Sequence, residues 1–133
     1  MKYFTIAELT YSATADLCGI ENKPTQQAID NLTALVDNVL DPLREAWGAP
    51  IFVNSGYRSA ELNHKIGGKK KSQHLLGQAA DIRTMQNTRQ DNRRLFNYII
   101  RMHLPYDQLI CENNFQWIHV SYRPQPRRQV LYI

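Results

Sequence analysis

The sequence predicts an α+β fold in which helices pack on one side of a small, mainly antiparallel sheet. Two observations carry this expectation. The N-terminal part holds apolar residues at helical spacing, and the C-terminal part holds short apolar runs separated by turn residues. A chain of 133 residues is long enough to bury one core, so we expect a single domain spanning residues 1–133.

Boundary signals and apolar spacing predict four helices. They cover residues 6–17, 25–47, 59–66 and 88–102. Gly19 is placed to end the first helix, because glycine adopts the left-handed conformation of a helix C-cap without strain. Pro42 should kink or split the second helix, since proline has no backbone N–H to donate. Ser59 can cap the third helix through its hydroxyl group.

Short apolar runs bounded by turn residues predict five strands. They cover residues 51–53, 79–82, 108–112, 117–122 and 129–133. The third and fourth strands are joined through Asn113-Asn114, which is a hairpin signal. A polar loop over residues 67–72, which includes three lysines, precedes the second strand.

The composition argues against several classes of protein. The formal net charge of +4 favours solubility or attraction to polyanions such as a bacterial cell wall. Nucleic acid is not an expected partner, because no basic helix interleaved with aromatic residues is present. No apolar run is long enough for a signal peptide or a membrane span, so we expect synthesis in a cytoplasm. Cys18 and Cys111 lie among apolar neighbours and are expected to be reduced core residues.

A set of potential metal ligands is the strongest chemical signal in the chain. His74 and Asp81 lie in the stretch SQHLLGQAADI, and His119 lies in the second hairpin strand. Two imidazoles and one carboxylate suit zinc and leave a fourth position open, which is typical of a catalytic site. Zinc in such a site lowers the pKa of water to about 7 and polarises a carbonyl group, which enables amide hydrolysis. On spacing alone, a histidine and an aspartate in a polar segment are more often surface or capping residues than metal ligands.

Four segments, taken together, resemble a known family. The chain contains SGYRSAELN, IGG, SQHLLGQAADI and LPYDQLICENNFQWIHVSY in this order, and this series resembles the zinc D-Ala-D-Ala carboxypeptidase family. The likeness extends over nearly the whole chain and is to the small phage- and prophage-type branch. That branch is related to cell-wall endolysins and to the hedgehog signalling domain. The resemblance implies a hedgehog/DD-peptidase-like fold, with zinc bound by His74, Asp81 and His119.

The resemblance also implies roles for residues around the metal. Arg58 is expected to hold a substrate carbonyl or carboxylate and to stabilise the oxyanion, and Ser72 is expected to line the pocket and bind substrate. Tyr57 either contacts the substrate or belongs to the core. Better-known members carry an acidic residue three positions before the last histidine, where this chain has Gln116. Glutamine cannot act as a base, so Gln116 is expected only to contact the substrate.

Strand geometry offers a different general base. Side chains alternate along a strand, so His119 shares a face with Trp117. A two-residue or a four-residue turn places Glu112 on that face, whereas a turn with an odd number of residues reverses it. We therefore expect Glu112 to be the base. The alternative is that Glu112 is only an exposed residue of the hairpin. Asp107 is a weaker candidate, and the lysines at 69–71 form either a solvated loop or a cationic rim.

The expected function is that of a zinc-dependent peptidase acting on peptidoglycan stem peptides, as a D-Ala-D-Ala carboxypeptidase or as an endopeptidase. The alternative is a phage wall-binding module that keeps zinc without catalysis, because Gln116 replaces the acid. We expect a monomer that is made without a signal peptide and acts on the bacterial cell wall after release, in a phage or prophage context.

Overall fold

The strands form one five-stranded sheet in the order β1-β2-β4-β3-β5, in a computed structural model that describes residues 1–133. They are Ile51–Ser55 (β1), Ala79–Thr84 (β2), Gln108–Glu112 (β3), Trp117–Ser121 (β4) and Gln129–Tyr132 (β5). Neighbouring strands are antiparallel except for β3 and β5, which are parallel. The predicted α+β fold with a mainly antiparallel sheet is therefore confirmed.

Six α-helices accompany these strands. They are Ile6–Thr10 (α1), Ala13–Cys18 (α2), Gln26–Leu35 (α3), Asp41–Trp47 (α4), Ala60–Lys65 (α5) and Arg89–Arg101 (α6). Five of them begin after a serine or threonine whose hydroxyl oxygen accepts a backbone N–H of the first turn. Ser59 caps α5, as predicted, and Thr88 caps α6. None of the helices is both long enough and apolar enough to span a membrane.

The predicted helix over residues 6–17 is in fact two helices. Ser12 lies between α1 and α2 in an extended conformation, and its Oγ accepts the backbone N–H of Ala15 at 3.1 Å. A serine side chain competes for backbone hydrogen bonds, so Ser12 begins a new helix instead of continuing the first one. Gly19, at φ 64°, ends α2 as predicted.

Pro42 splits the second predicted helix. A single π-helical turn, Val36–Leu40, stands between α3 and α4, and Pro42 lies in the first turn of α4. Proline cannot donate to the carbonyl four residues earlier, and its ring crowds that carbonyl, so the backbone widens ahead of it. Both helices still contribute to the core, where Leu35 and Leu43 are fully buried.

The sheet separates an apolar core from a polar face. Helix α6 packs on β2 and β4. The core side chains of the three central strands are Ala80, Ile82, Leu109, Cys111, Ile118 and Val120. Asp81 and His119 alternate with these residues and therefore point to the opposite face of the sheet. Both cysteines are free, but only Cys111 is buried as predicted; Cys18 is exposed near the end of α2.

A buried carboxylate fastens the segment before β5 to the start of β3. The Asp107 side chain is fully buried, and the Arg127 guanidinium donates to both of its oxygens, at 3.0 and 2.8 Å. Arg123 Nε lies 3.1 Å from the same carboxylate. Burial alone would raise the pKa of Asp107, but the hydrogen bonds and charges of the two arginines outweigh burial and lower the pKa to about 2.

Protonation of Asp107 should therefore destabilise the fold in acid. A carboxyl group whose pKa is lowered by folding contributes stability above its unfolded pKa of about 4 and loses that contribution as the pH falls through the folded value. We expect Asp107→Asn to reduce the free energy of unfolding at pH 7 in urea titrations, with the difference from the unchanged protein shrinking towards pH 2. Asp30→Asn, at an exposed position, should show no such trend. A difference that stays constant with pH would contradict this assignment.

Candidate metal centre

The pairing of β2 with β4 places Asp81 directly opposite His119. His74 reaches the same point from the short 3₁₀ turn Gln73–Leu76, which leads into β2. Ser72 caps this turn, and its Oγ accepts the backbone N–H of His74 at 3.1 Å. Two strands and a capped turn thus bring together three side chains that are far apart in the sequence.

The three side chains converge on a single carboxylate oxygen. His74 Nε2 and His119 Nδ1 each lie 3.2 Å from Asp81 Oδ1, and the ligand atoms of all three residues lie within 4.8 Å of one another. All three residues are buried, with exposed fractions of 2% for His74, 8% for Asp81 and 9% for His119. The structure therefore brings together the three residues that the sequence singled out as metal ligands.

The hydrogen bonding of His74 tests whether a metal cation suits this cluster. His74 Nδ1 lies 2.7 Å from the Gly56 carbonyl oxygen, which can only accept, so Nδ1 carries a proton. In the neutral ring, Nε2 then presents a lone pair to the Asp81 carboxylate at 3.2 Å, and two acceptors repel each other. A proton or a metal cation between these atoms removes the repulsion. The donor set therefore fits a divalent metal that takes nitrogen and oxygen ligands, as zinc does.

The charge state of Asp81 also suits a metal ligand. Burial acts to raise the pKa of its carboxyl group. When a proton lies between Asp81 and the rings, the hydrogen bonds and charges of His119 and His74 outweigh burial and lower the pKa below its ordinary value. Asp81 is thus ionised at neutral pH and available as an anionic ligand.

Arg58 stands beside the cluster in a fixed orientation. Its Nη2 lies 3.5 Å from Asp81 Oδ2, its Nε donates to Ser55 Oγ at 3.1 Å and its Nη1 donates to Asn63 Oδ1 at 2.9 Å. Gly68 makes this arrangement possible, because a Cβ atom there would lie 2.1 Å from Asn63 Oδ1. The guanidinium is therefore held by three residues before any substrate arrives.

The cluster opens into a cavity of about 470 Å³ on the polar face of the sheet. Its wall includes the predicted residues Arg58, Ser72, His74, Asp81, Glu112 and His119. Lys69 and Lys71 also contribute, which favours the cationic-rim interpretation of the 69–71 loop. Among the lining residues, only Ile110, Trp117 and Ile133 are apolar, so the cavity suits a polar or charged substrate.

Glu112 lies on the cavity face of the hairpin. The turn between β3 and β4 has four residues, 113–116, and Glu112 pairs with Trp117. Of the two even-numbered turns compatible with the sequence, the structure has the four-residue one, which puts Glu112 on the face of His119. Glu112 is half-buried, and its negative charge acts on the Arg58 guanidinium, so a free carboxylate stands near the cluster.

Three other predicted site residues do not reach the cavity. Gln116 is exposed in the hairpin turn, where its Oε1 accepts a hydrogen bond from Asn113 and its carbonyl accepts one from Asn92. Tyr57 packs in the hydrophobic core, so of its two alternatives the core position is the observed one. Asp107 is fully buried and paired with Arg127, so it has neither the access nor the free lone pairs of a base. Gln116 and Tyr57 therefore lie outside the wall of this cavity.

Three residues around the cavity are not marked by any pattern in the sequence. Asn63, buried in α5, orients Arg58. Gln73 and Arg127 line the cavity wall, and both donate hydrogen bonds to Asp107. Their partners lie 5 to 34 positions away, and no local motif distinguishes an asparagine, a glutamine or an arginine with such a partner.

Two comparisons with known proteins gave matches. A segment of 44 residues is 46% identical to the zinc D-Ala-D-Ala carboxypeptidase of Streptomyces albus G. This segment covers 32% of the chain and only 17% of that protein. The model of the Peptidase M15 family matches residues 2–121, which is most of the chain. The protein therefore belongs to the peptidase M15 family.

Proposed function

We propose that this protein is a zinc-dependent peptidase that hydrolyses peptidoglycan stem peptides, as a carboxypeptidase or as an endopeptidase. The observation that carries the proposal is the convergence of His74, Asp81 and His119 in a cavity that also holds a free carboxylate. The whole of residues 1–133 would act as one monomeric domain. Its place of action would be the bacterial cell wall, reached after release in a phage or prophage context.

His74, Asp81 and His119 would hold the zinc ion. Zinc bound there would polarise the scissile carbonyl group and lower the pKa of a water molecule to about 7. The Gly56 carbonyl fixes the His74 ring by accepting its Nδ1 proton, so that Nε2 stays free as a ligand. Asp81 supplies the negative charge of the set.

Glu112 is the proposed proton carrier. Its side chain is the only carboxylate side chain of the cavity wall besides that of Asp81, and Asp81 is committed to the two histidines. Glu112 takes a proton from the attacking water and passes it to the nitrogen of the leaving amine. Its presence in the cavity favours hydrolysis over the inactive wall-binding module that Gln116 suggested.

Arg58 and Ser72 are the proposed substrate contacts. The Arg58 guanidinium is fixed by Ser55 and Asn63, so it can stabilise negative charge developing on the carbonyl oxygen without reorganising. Ser72 Oγ accepts the N–H of His74, which leaves its hydroxyl proton free to donate to the peptide.

Loss of the proton carrier should abolish hydrolysis without loss of metal. We expect Glu112→Gln to bind zinc normally and to reduce the release of amino groups from purified peptidoglycan by about 100-fold or more. Gln116→Ala, in the same hairpin but outside the cavity, should retain near-normal activity. Full activity in Glu112→Gln would remove Glu112 from the mechanism. Binding of peptidoglycan by the unchanged protein without release of amino groups would favour the wall-binding module.

Metal content should depend on the three proposed ligands. Tag-free protein incubated with zinc and desalted is expected to retain about one zinc ion per chain by elemental analysis. His119→Ala and Asp81→Asn should each lose most of this zinc, because two donors hold the ion weakly. His103→Ala, which removes an exposed histidine, should retain it. Unchanged zinc content in both ligand variants would show that the metal binds elsewhere.

The orientation of Arg58 should control the rate. In Gly68→Ala, the new Cβ would collide with Asn63 Oδ1 and lie 2.8 Å from Arg58 Nη1, so the guanidinium must move. We expect activity to fall by about 10- to 100-fold with zinc retained, since small displacements of positioning groups have effects of this size. Gly67→Ala strains a backbone at φ 75° but meets no neighbouring atom. The Gly67→Ala control should lose stability but keep its activity per folded molecule. Equal losses of activity in Gly67→Ala and Gly68→Ala would exclude a specific effect on Arg58.

A further inference from the structure

We propose that Arg127 binds a carboxylate of the peptide substrate, at the end of the cavity formed by Gln108. The inference rests on the proposed peptidase function and adds a substrate requirement to it. Peptides with a free carboxylate about two residues from the scissile bond would be preferred over the same peptides with that group amidated.

The cavity wall has an excess of positive charge. It contains the cations Arg58, Lys69, Lys71 and Arg127 and the carboxylates of Asp81 and Glu112. Four positive and two negative side chains leave an excess of two positive charges before any metal is counted. Arg58 is already paired with Asp81. Arg127 is paired with Asp107, but Arg123 contacts the same carboxylate, so this group of two arginines and one aspartate keeps one positive charge. The positive charge that can attract an anionic group therefore comes from the two lysines and from this group.

Arg127 differs from the two lysines because it is held rigidly. Its Nε and Nη2 donate to the two oxygens of Asp107, and its backbone N–H donates to Asp107 Oδ1 at 2.9 Å. Nη1 makes no hydrogen bond within the protein and remains for a ligand. A guanidinium fixed on one edge presents its remaining N–H groups in a set geometry, so little entropy is lost when a carboxylate binds.

Strand β3 gives the position of Arg127 relative to the metal ligands. Gln108, Ile110 and Glu112 all line the cavity, and Ile110 is paired with His119. Residues two positions apart on a strand are separated by about 7 Å, so Gln108 and Glu112 lie about 7 Å on either side of Ile110. Gln108 pairs with Gln129 of β5, which places Arg127 at the end opposite Glu112. An extended peptide covers that distance in about two residues.

A stem peptide offers two carboxylates with the required chemistry. One is the C-terminal carboxylate, and the other is the α-carboxylate of a glutamate linked through its side chain. Both present the same planar pair of oxygens to a guanidinium, so amidation of each group in turn distinguishes them.

Arg123 provides a matched control. Arg123 and Arg127 both pair with the buried Asp107, and their side chains are similarly exposed, at 42% and 45%. Only Arg127 lines the cavity. Arg127 makes the greater part of the contact with Asp107, but both arginines take part in neutralising that carboxylate, whereas substrate binding would depend on Arg127 alone.

The test uses L-Ala-γ-D-Glu-L-Lys-D-Ala-D-Ala and two derivatives, amidated at the C-terminus or at the glutamate α-carboxylate. We expect the zinc-loaded protein to show a kcat/KM at least about tenfold higher for the free acid than for one of the amides, mainly through KM. Arg127→Gln should abolish this preference, Arg127→Lys should retain part of it, and Arg123→Gln should leave it intact. Dissociation constants measured by calorimetry in a Glu112→Gln background should follow the same order.

Three outcomes would overturn the inference: no preference in the unchanged protein, an unchanged preference in Arg127→Gln, or equal losses in Arg123→Gln and Arg127→Gln. Circular dichroism of each variant establishes that it is folded, and Arg127→Lys serves if Arg127→Gln is not. Peptide binding that depends on Arg127, without cleavage of any peptide, would contradict the proposed peptidase activity but support the carboxylate-binding site.

Discussion

The antiparallel pairing of β2 with β4 is the constraint on which the site depends. It sets Asp81 opposite His119, although 38 positions separate them along the chain. A buried carboxylate is costly unless cations or hydrogen-bond donors surround it. Here Arg58, His119 and the proton or metal cation that His74 shares with Asp81 supply this stabilisation. A register shift of one residue would turn Asp81 towards the apolar core and expose Ala80 or Ile82 instead. Burial of the apolar core and assembly of the site therefore require the same register between β2 and β4.

The N-terminal helices support the site without touching the cavity. The Gly56 carbonyl that orients His74 belongs to a segment tied to α1, because the Tyr57 N–H donates to the Leu9 carbonyl at 2.8 Å. A Cβ atom on Gly56 would lie 2.1 Å from that Leu9 oxygen, so only glycine allows the close approach. Tyr57 thus acts as a packing residue in the segment SGYRSAELN, since its ring and backbone anchor the turn that carries Gly56 and Arg58.

Local patterns predicted the elements and the faces of their side chains, but not the long-range polar pairs. Alternation along β3 and β4 places Glu112 on the same face as His119, because the turn between them has an even number of residues. Asp107 shows where this reasoning stops. As a polar residue before a strand it resembled a candidate base, yet Arg127, 20 positions later, pairs with it and buries it. No periodicity in the sequence identifies such a partner. The position of the Arg127 guanidinium at one end of the cavity is therefore visible only in the structure.

The opposite ends of the cavity carry opposite charges, and this polarity has a consequence for substrate direction. If Glu112 protonates the leaving amine, the amine half of the peptide lies towards Glu112. The acyl half then extends past Ile110 towards Gln108 and Arg127. A carboxylate in the acyl half would meet the Arg127 guanidinium, whereas the C-terminal carboxylate would approach Glu112 and be repelled by it. The geometry thus favours the α-carboxylate of a side-chain-linked glutamate over the C-terminal carboxylate as the group that Arg127 binds. Such binding suits a peptidase that recognises residues on the N-terminal side of the bond it cuts.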